Sequence, residues 1–415
     1  MSKLKAISLF TGAGGLDFGF EAAGFRTAVA LEIDARCCAT LRHNRNWPLV
    51  ERDIAAVPTE ALLEIAGLRT GEADVLIGGP PCQPFSKSGF WATGHAKRLD
   101  DPRSTTIEGY LRVLAEARPR AFLLENVEGL GFKGKDEGLQ LILSRLSTIN
   151  ATHGTAYKAS IATVNAADYG VPQLRRRVMV IGSRDGTLFR FPAPTHVAPA
   201  EAAPIDGRVR HVTAWDALHD LHDAADPAAI VRGKWANLLP TIPEGQNYLW
   251  HTDRGGGEPL FGWRRRYWSF LLKLAKGQPS WTIQAQPGPA TGPFHWNNRR
   301  LTMREMARLQ TFPDDVKIVG TLDDAQRQLG NAVPSLLAEV LGRAIAAQLL
   351  GAREKRASPL LAIQLASRPI PPPQSVSGVT REFLDLKGDH EAHPGTGKGN
   401  RAIARLVTHA DQVGN

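Results

Sequence analysis

Residues 8–25 read SLFTGAGGLDFGFEAAGF. A strand runs into Gly12, Gly14 and Gly15 and then into a helix, an arrangement that lets backbone approach a ligand at the helix amino end. A dinucleotide-binding fingerprint requires glycine at position 17, where this chain has Asp17. A pyrophosphate fits poorly beside a carboxylate; a ligand carrying an amino group fits better.

The alternation started by this stretch continues to about residue 183. KAISLF, TAVALEI, ADVLIGG, RAFLLENV and RRVMVIG are short apolar runs separated by helical patterns. They predict an α/β fold with a doubly wound, mostly parallel sheet, in which ligands sit at the carboxyl ends of the strands. Glu32 falls at the end of the second strand, twenty residues past Gly12, where an acidic side chain can take both hydroxyls of a ribose. Asp53, after the third strand, can accept from an adenine amino group. Ribose, adenine and an amino acid together describe S-adenosylmethionine. At this stage the glycines also fit an ordinary turn, and Glu32 and Asp53 fit solvated strand ends.

The organisation predicted is residues 1–184 as the first part of a catalytic and cofactor-binding domain, 185–298 as a smaller irregular domain, 299–350 as a return to the first, and 351–415 as a tail. The second segment is rich in Pro, Gly and Trp, holds seven of the nine tryptophans, and contains the run GWRRRYW. Helical spacing returns in TMREMARLQTF and, after the turn signal GNAVP, in PSLLAEVLGRAIAAQLL. The tail, with RPIPPPQSVSG and HPGTGKGN, reads as extended and poorly packed. Its resemblance to a phosphate loop fails, because Ala392 and Gly399 replace the glycine and hydroxyl that such a loop needs.

Composition narrows the setting. The chain has 415 residues, 43% of them hydrophobic, which is ordinary for a globular protein. No run of about eighteen apolar residues and no leader are recognised, so a cytoplasmic protein is expected. The three cysteines, Cys37, Cys38 and Cys82, form neither a disulfide framework nor a metal-ligand spacing. A net charge of +9 points toward a polyanionic partner, though a merely soluble basic surface has the same sign.

Cys82 lies in GGPPCQPFSKSG, residues 78–89, between prolines that restrain the backbone. A buried free cysteine is the ordinary alternative. Glu125 follows directly on an apolar strand in ENV, and Gln173, Arg175 and Arg177 alternate onto one face in QLRRR. A salt-bridged sheet edge explains these residues equally well. Chemically, a thiol, a carboxyl able to protonate a ring nitrogen and an arginine able to hold a carbonyl oxygen suit attack on carbon 6 of a pyrimidine.

With FTGAGGLDFGFEAAGF, GGPPCQPFS, ENV, QLRRR, REMARLQTFPD and GNAVP in this order, the sequence from about 4 to 349 resembles the cytosine-C5 DNA methyltransferases of bacterial restriction–modification systems. The resemblance implies that Cys82 is the nucleophile, that Glu125 contacts and protonates N3 of cytosine, and that Arg177 holds O2 with Arg175 nearby. It implies an S-adenosylmethionine site with Phe10 near the adenine, Gly12 and Gly14 at the methionine end, Glu32 on the ribose and Asp53 on the adenine. Leu16, Ile54, Pro80, Asn331 and Val333 complete that site. Ser86, Gln173, Arg264 and Arg265 are the expected DNA contacts, and 185–298 the expected target-recognition domain. Double-stranded DNA, base flipping, a monomeric enzyme and a partner restriction endonuclease follow from the same resemblance. An RNA (tRNA) cytosine-C5 methyltransferase and a non-catalytic DNA-binding regulator share these motifs in part. A nicotinamide dehydrogenase is disfavoured by Asp17.

Overall fold

The computed structural model describes residues 3–81, 105–128, 137–198, 207–221, 226–263, 266–288, 290–353, 357–385 and 387. The main sheet is built from β1 (Leu4–Leu9), β2 (Phe25–Glu32), β3 (Leu49–Glu51), β4 (Val75–Gly78), β5 (Ala121–Val127), β6 (Lys158–Asn165) and β8 (Arg176–Ser183). A two-residue strand, β7 (Gln173–Leu174), precedes the last of these. The sheet order is β3-β2-β1-β4-β5-β8-β6. The first five strands are parallel, and β8 runs antiparallel between β5 and β6.

Alternation along each strand divides the core into two layers. Ile7, Leu76, Phe122, Leu124, Val178 and Val180 face one side. There they pack on α3 (Thr59–Ala66), α4 (Thr105–Ala117) and α5 (Glu137–His153). Ala6, Val75, Ile77, Leu123, Met179 and Ile181 face the other, against α1 (Gly15–Ala23) and α9 (Ser335–Leu349). The fold is therefore the doubly wound α/β sheet expected. The first and last helices touch closely: a Cβ on Gly19 would lie 2.3 Å from the Ser335 carbonyl. Thus the carboxyl-terminal helices complete the layer that the amino-terminal motif begins.

Between α1 and α9 the chain also forms α2 (Ala35–Asn44), α6 (Ala214–Leu218), α7 (Met303–Leu309) and α8 (Leu322–Asn331). The helical stretch 322–349 contains an 18-residue window apolar enough for a membrane span by composition, but 72% of that window is buried inside the protein, so the stretch is a core helix pair. The segment between 185 and 298 forms, among the described residues, only two-residue strands and helices of at most six residues. Its apolar side chains form a cluster that includes Leu238, Leu239, Tyr248, Phe261 and Phe270. Of its seven tryptophans, Trp215 and Trp296 are buried, Trp268 is exposed and the rest are half-buried.

Two features differ from the sequence reading. Strand β6, KASIATVN, was not among the apolar runs: it is a sheet edge whose Lys158 and Ile161 face solvent, so little in it marks a buried strand. From 357 to 380 the tail has no helix or strand, yet it is tied down, and Phe383 in the short helix that follows is only 2% exposed.

Candidate active site

Strand β4 ends at Gly78, and the loop turns immediately across the end of β5. A Cβ on Gly78 would meet the Leu9 carbonyl at 2.8 Å, and one on Gly79 would meet Glu125 Oε2 at 2.9 Å. Only glycine lets this loop lie so close to the carboxyl. Buried Pro80 accepts a hydrogen bond from Asn126 Nδ2 at 3.3 Å, and the Pro81 carbonyl accepts from Thr106 Oγ1 at 3.2 Å. Cys82 follows one peptide bond later. It lies outside the described residues, together with Ser86.

Glu125 sits near the carboxyl end of β5, and the neighbouring pair in the antiparallel register is Val127 with Arg177. Arg177 Nε donates to Glu125 Oε1 at 2.9 Å, with the two side chains 15% and 10% exposed. Burial pushes the Glu125 pKa up, and the Arg177 and Arg175 guanidinium groups only partly offset it. The site therefore brings together a glycine loop leading to a thiol, a carboxyl biased toward its protonated form, and a guanidinium that fixes one carboxyl oxygen.

Gln173 and Arg175 are both completely buried. Gln173 Nε2 donates to the Leu309 carbonyl at 3.2 Å and to Gln310 Oε1 at 3.1 Å, and its Oε1 accepts from the Ile283 N–H at 3.2 Å. Arg175 donates to the carbonyls of Ile283 at 3.3 Å and Gly330 at 2.7 Å. Both side chains thus tie distant parts of the chain together, and the Arg175 guanidinium also acts on the Glu125 carboxyl.

The first glycine loop forms a cradle. Gly12 (φ 57°) donates its N–H to Glu32 Oε2 at 2.7 Å, while Ile33 and Asp34 donate to Oε1 at 2.9 and 2.8 Å. A Cβ at Gly12 would meet nothing nearer than the Phe10 carbonyl at 4.0 Å, so open space lies beside its backbone. Phe10, half-buried, is itself in the left-handed region at φ 53°. Gly14 (φ 90°) is the cap of α1. Asp53 is exposed and caps the turn Ile54–Ala56 through the Ala55 N–H at 2.9 Å. Ile54 and Leu16 are buried core residues. Asn331 is exposed at the end of α8, and a Cβ on Gly15 would strike the Val333 carbonyl at 2.2 Å, so GNAVP backs directly onto the glycine loop.

Asp17 does not face this cradle as a ligand partner would. It is fully buried and accepts from Ser8 Oγ at 3.0 Å and Thr27 Oγ1 at 3.1 Å. Desolvation by burial raises its pKa to about 7, against the lowering effect of those two hydroxyls.

Sequence reasoning missed a pair of aromatics. Strand β11 in chain order, Ser280–Trp281, pairs in parallel with β7 and so adjoins the segment leading to Arg177. Trp268, 54% exposed, packs edge-on against Trp281 with ring centroids 5.6 Å apart, and Tyr267 beside it is 55% exposed. The signal was present in GWRRRYW, but nothing in that run shows which rings face solvent. Arg264 and Arg265 of the same run lie outside the described residues. No group of His, Cys, Asp and Glu suited to a metal occurs among the described residues.

Comparisons with known proteins agree with this geometry. The family profile of C-5 cytosine-specific DNA methylases matches residues 4–347. The chain is 41% identical over 374 residues to the Type II methyltransferase M.SacI of Streptomyces achromogenes, covering 84% of this chain and 94% of that protein. It is 43% identical over 233 residues to the Type II methyltransferase M.AquIA of a Picosynechococcus species, covering 54% and 92%. In fold it is similar to a DNA modification methyltransferase encoded within an E. coli prophage, with TM-score 0.60, 22% identity and coverage of 84% and 100%. It is also similar to the Dnmt2 methyltransferase of S. pombe, with TM-score 0.55, 16% identity and coverage of 83% and 99%. With that family profile matching most of its length, the chain belongs to the C-5 cytosine-specific DNA methylases and is a DNA (cytosine-5-)-methyltransferase.

Proposed function

We propose that the chain is a site-specific Type II modification enzyme that methylates C5 of a cytosine flipped out of duplex DNA, using S-adenosylmethionine, and protects its sites from a partner endonuclease. The observation that carries this reading is the junction of Gly79, Glu125 and Arg177, which presses the loop leading to Cys82 against a protonatable carboxyl. The names of the Type II relatives support the restriction–modification setting.

In this reading the Cys82 thiolate forms a bond to C6 of the cytosine. As electrons move into the ring, Glu125 delivers its proton to N3, so C5 becomes nucleophilic as an enamine carbon. Arg177 holds O2 and keeps Glu125 oriented. After C5 is methylated, a base removes its remaining hydrogen as a proton, the C6–S bond breaks, the thiolate leaves, and N3 returns its proton to the Glu125 carboxylate. This chemistry needs the base out of the stack, at a cost of roughly a few kcal/mol offset by pocket contacts.

The residues present fit S-adenosylmethionine. Open space adjoins the Gly12 backbone, Glu32 stands beside it with acceptor capacity remaining, and exposed Asp53 and Asn331 flank the same edge. Gly12, Gly14, Phe10, Glu32 and Asp53 would hold it. When bound, it supplies a methyl group made electrophilic by a sulfonium. Residues 185–298 would read the target sequence, with Arg264, Arg265 and the exposed pair Tyr267 and Trp268 toward DNA. In a bacterial cell a DNA substrate would put this work in the cytoplasm.

Duplex DNA carrying 5-fluorocytosine at the target position tests the mechanism. Fluorine cannot leave as a cation, so the enzyme should methylate once and remain covalently joined, in a complex stable to denaturation that requires Cys82. Absence of the adduct on DNA whose unfluorinated counterpart is methylated would refute the thiol as nucleophile.

A further inference from the structure

The family match ends at residue 347, and the segment beyond it crosses the irregular domain along a defined path. The Leu360 and Leu361 N–H groups donate to the carboxylate of buried Glu339 at 2.7 and 2.9 Å. Farther on, the Ala366 N–H donates to Asp216 Oδ1 at 3.1 Å, and the Ser377 N–H to the Pro240 carbonyl at 3.0 Å. Lys387 pairs with Glu258 at 2.8 Å. At the end of this path the short helix Arg381–Leu384 inserts Phe383 into the cluster of Tyr248, Phe261 and Phe270.

What stands above Phe383 gives this insertion its significance. Phe383 stacks on Trp235, with ring centroids 6.0 Å apart and an interplanar angle of 18°. The Arg266 guanidinium lies over the rings of Trp235 at 5.8 Å and Phe270 at 5.6 Å. Tyr248 Oη donates to the Arg266 carbonyl at 2.8 Å, and Asn247 Nδ2 donates to the Trp268 carbonyl at 2.7 Å. The box plugged by Phe383 therefore grips the backbone of 266–268, the stretch that displays Tyr267 and Trp268 beside the strand leading to Arg177.

We propose that Phe383 is a positioning residue for DNA recognition: the segment beyond the methylase domain plugs this aromatic box from behind and fixes the 266–268 stretch against the duplex. The inference rests on the reading of 185–298 as the recognition domain. A segment held at Glu339 in the catalytic layer and at Phe383 in the irregular domain also restrains one relative to the other.

The test uses full-length enzyme once sequencing of modified cytosines has given the cognate site. Phe383→Ala should raise KM for cognate duplex about tenfold and reduce discrimination against single-mismatch sites by a similar factor, equivalent to about 1.4 kcal/mol. Its kcat at saturating DNA and its affinity for S-adenosylmethionine should stay within about threefold, because neither depends on register along the duplex. Phe383→Leu, which refills most of the volume, should recover most of the loss. Trp268→Ala, the control for the contact itself, should raise KM in the same way. Unchanged KM and discrimination in Phe383→Ala, with Trp268→Ala impaired, overturns the positioning role and leaves the recognition reading standing. If Trp268→Ala is also unimpaired, the assignment of this stretch to DNA fails. Loss of cofactor binding in Phe383→Ala shows a general packing role and overturns the proposal too.

Discussion

The sheet region and the irregular region both bury charged groups, but they hold them differently. Near the carboxyl ends of the strands the buried carboxyls Asp17 and Glu125 are both pushed toward protonation by desolvation. In the irregular region Lys273 donates to the Ile242 carbonyl, with its pKa brought down to about 8 by burial, and Lys276 pairs with buried Glu244. A carboxyl that keeps its proton can give it to a substrate. A lysine locked onto a carbonyl or a carboxylate can only hold backbone in shape, which a domain with little regular secondary structure needs.

The sharpest way to break this contrast is Glu125→Gln. An amide preserves size and can accept from Arg177, but it cannot deliver a proton to N3, so the single-turnover rate should fall by about 10²–10⁴-fold with DNA affinity retained. In the wild type the same step should slow as pH rises through the raised pKa of Glu125, because the protonated acid is lost there. A glutamine variant within tenfold of wild type would remove Glu125 from the chemistry.

On the other side, Lys276→Met leaves Glu244 buried without its cation. Breaking such a pair costs about 3–5 kcal/mol. Chemical unfolding should show the loss, and DNA methylation should fall while cofactor binding persists, because the damage lies outside the sheet. Undiminished stability would mean that water solvates the pair.

Asp17→Asn examines the buried acid that has no catalytic task. The Asp17 pKa rises from 3.8 to about 7 on folding, so between those values the folded protein keeps a proton that the unfolded chain has lost. Stability from this group is thus fully present below about pH 4 and is lost as pH rises toward 7, with a ceiling of about 4 kcal/mol at ~1.4 kcal/mol per unit. The variant should be less pH-dependent than wild type in that window, measured as the difference in denaturation midpoints. Parallel curves would place the proton elsewhere.

The same contrast explains what could be read from the sequence. The runs that became β1, β2, β4, β5 and β8 are apolar because both faces of a doubly wound sheet are covered, and their ends expose Gly12, Glu32, Gly79 and Glu125 in recognisable short motifs. The internal ties of Arg175 leave no mark in the sequence, because its partners, the carbonyls of Ile283 and Gly330, are more than a hundred residues away. The burial of Phe383 is unmarked for a related reason: its neighbours are proline-rich and exposed, and only the distant rings of Trp235 and Phe270 make it a core residue. Local patterns report strand ends well, and long-range ties between side chain and carbonyl leave no periodic trace.

The smallest effect is expected at Glu32, where the two explanations of a strand-end carboxylate can be separated. Its oxygens already accept from the N–H groups of Gly12, Ile33 and Asp34, so it staples the glycine loop to β2 whether or not a ligand is bound. Burial raises its pKa, and those three donors act against that rise. If it also takes ribose hydroxyls, Glu32→Ala should weaken S-adenosylmethionine binding by about 1–3 kcal/mol in calorimetry. Glu32→Gln should fall between, because a single amide oxygen cannot serve both the Gly12 N–H and a ribose, and its NH₂ group faces donors it cannot satisfy. Unfolding of the ligand-free variants supplies the control: a staple alone would lower that stability and leave cofactor affinity unchanged, and such a result would move the ribose away from Glu32.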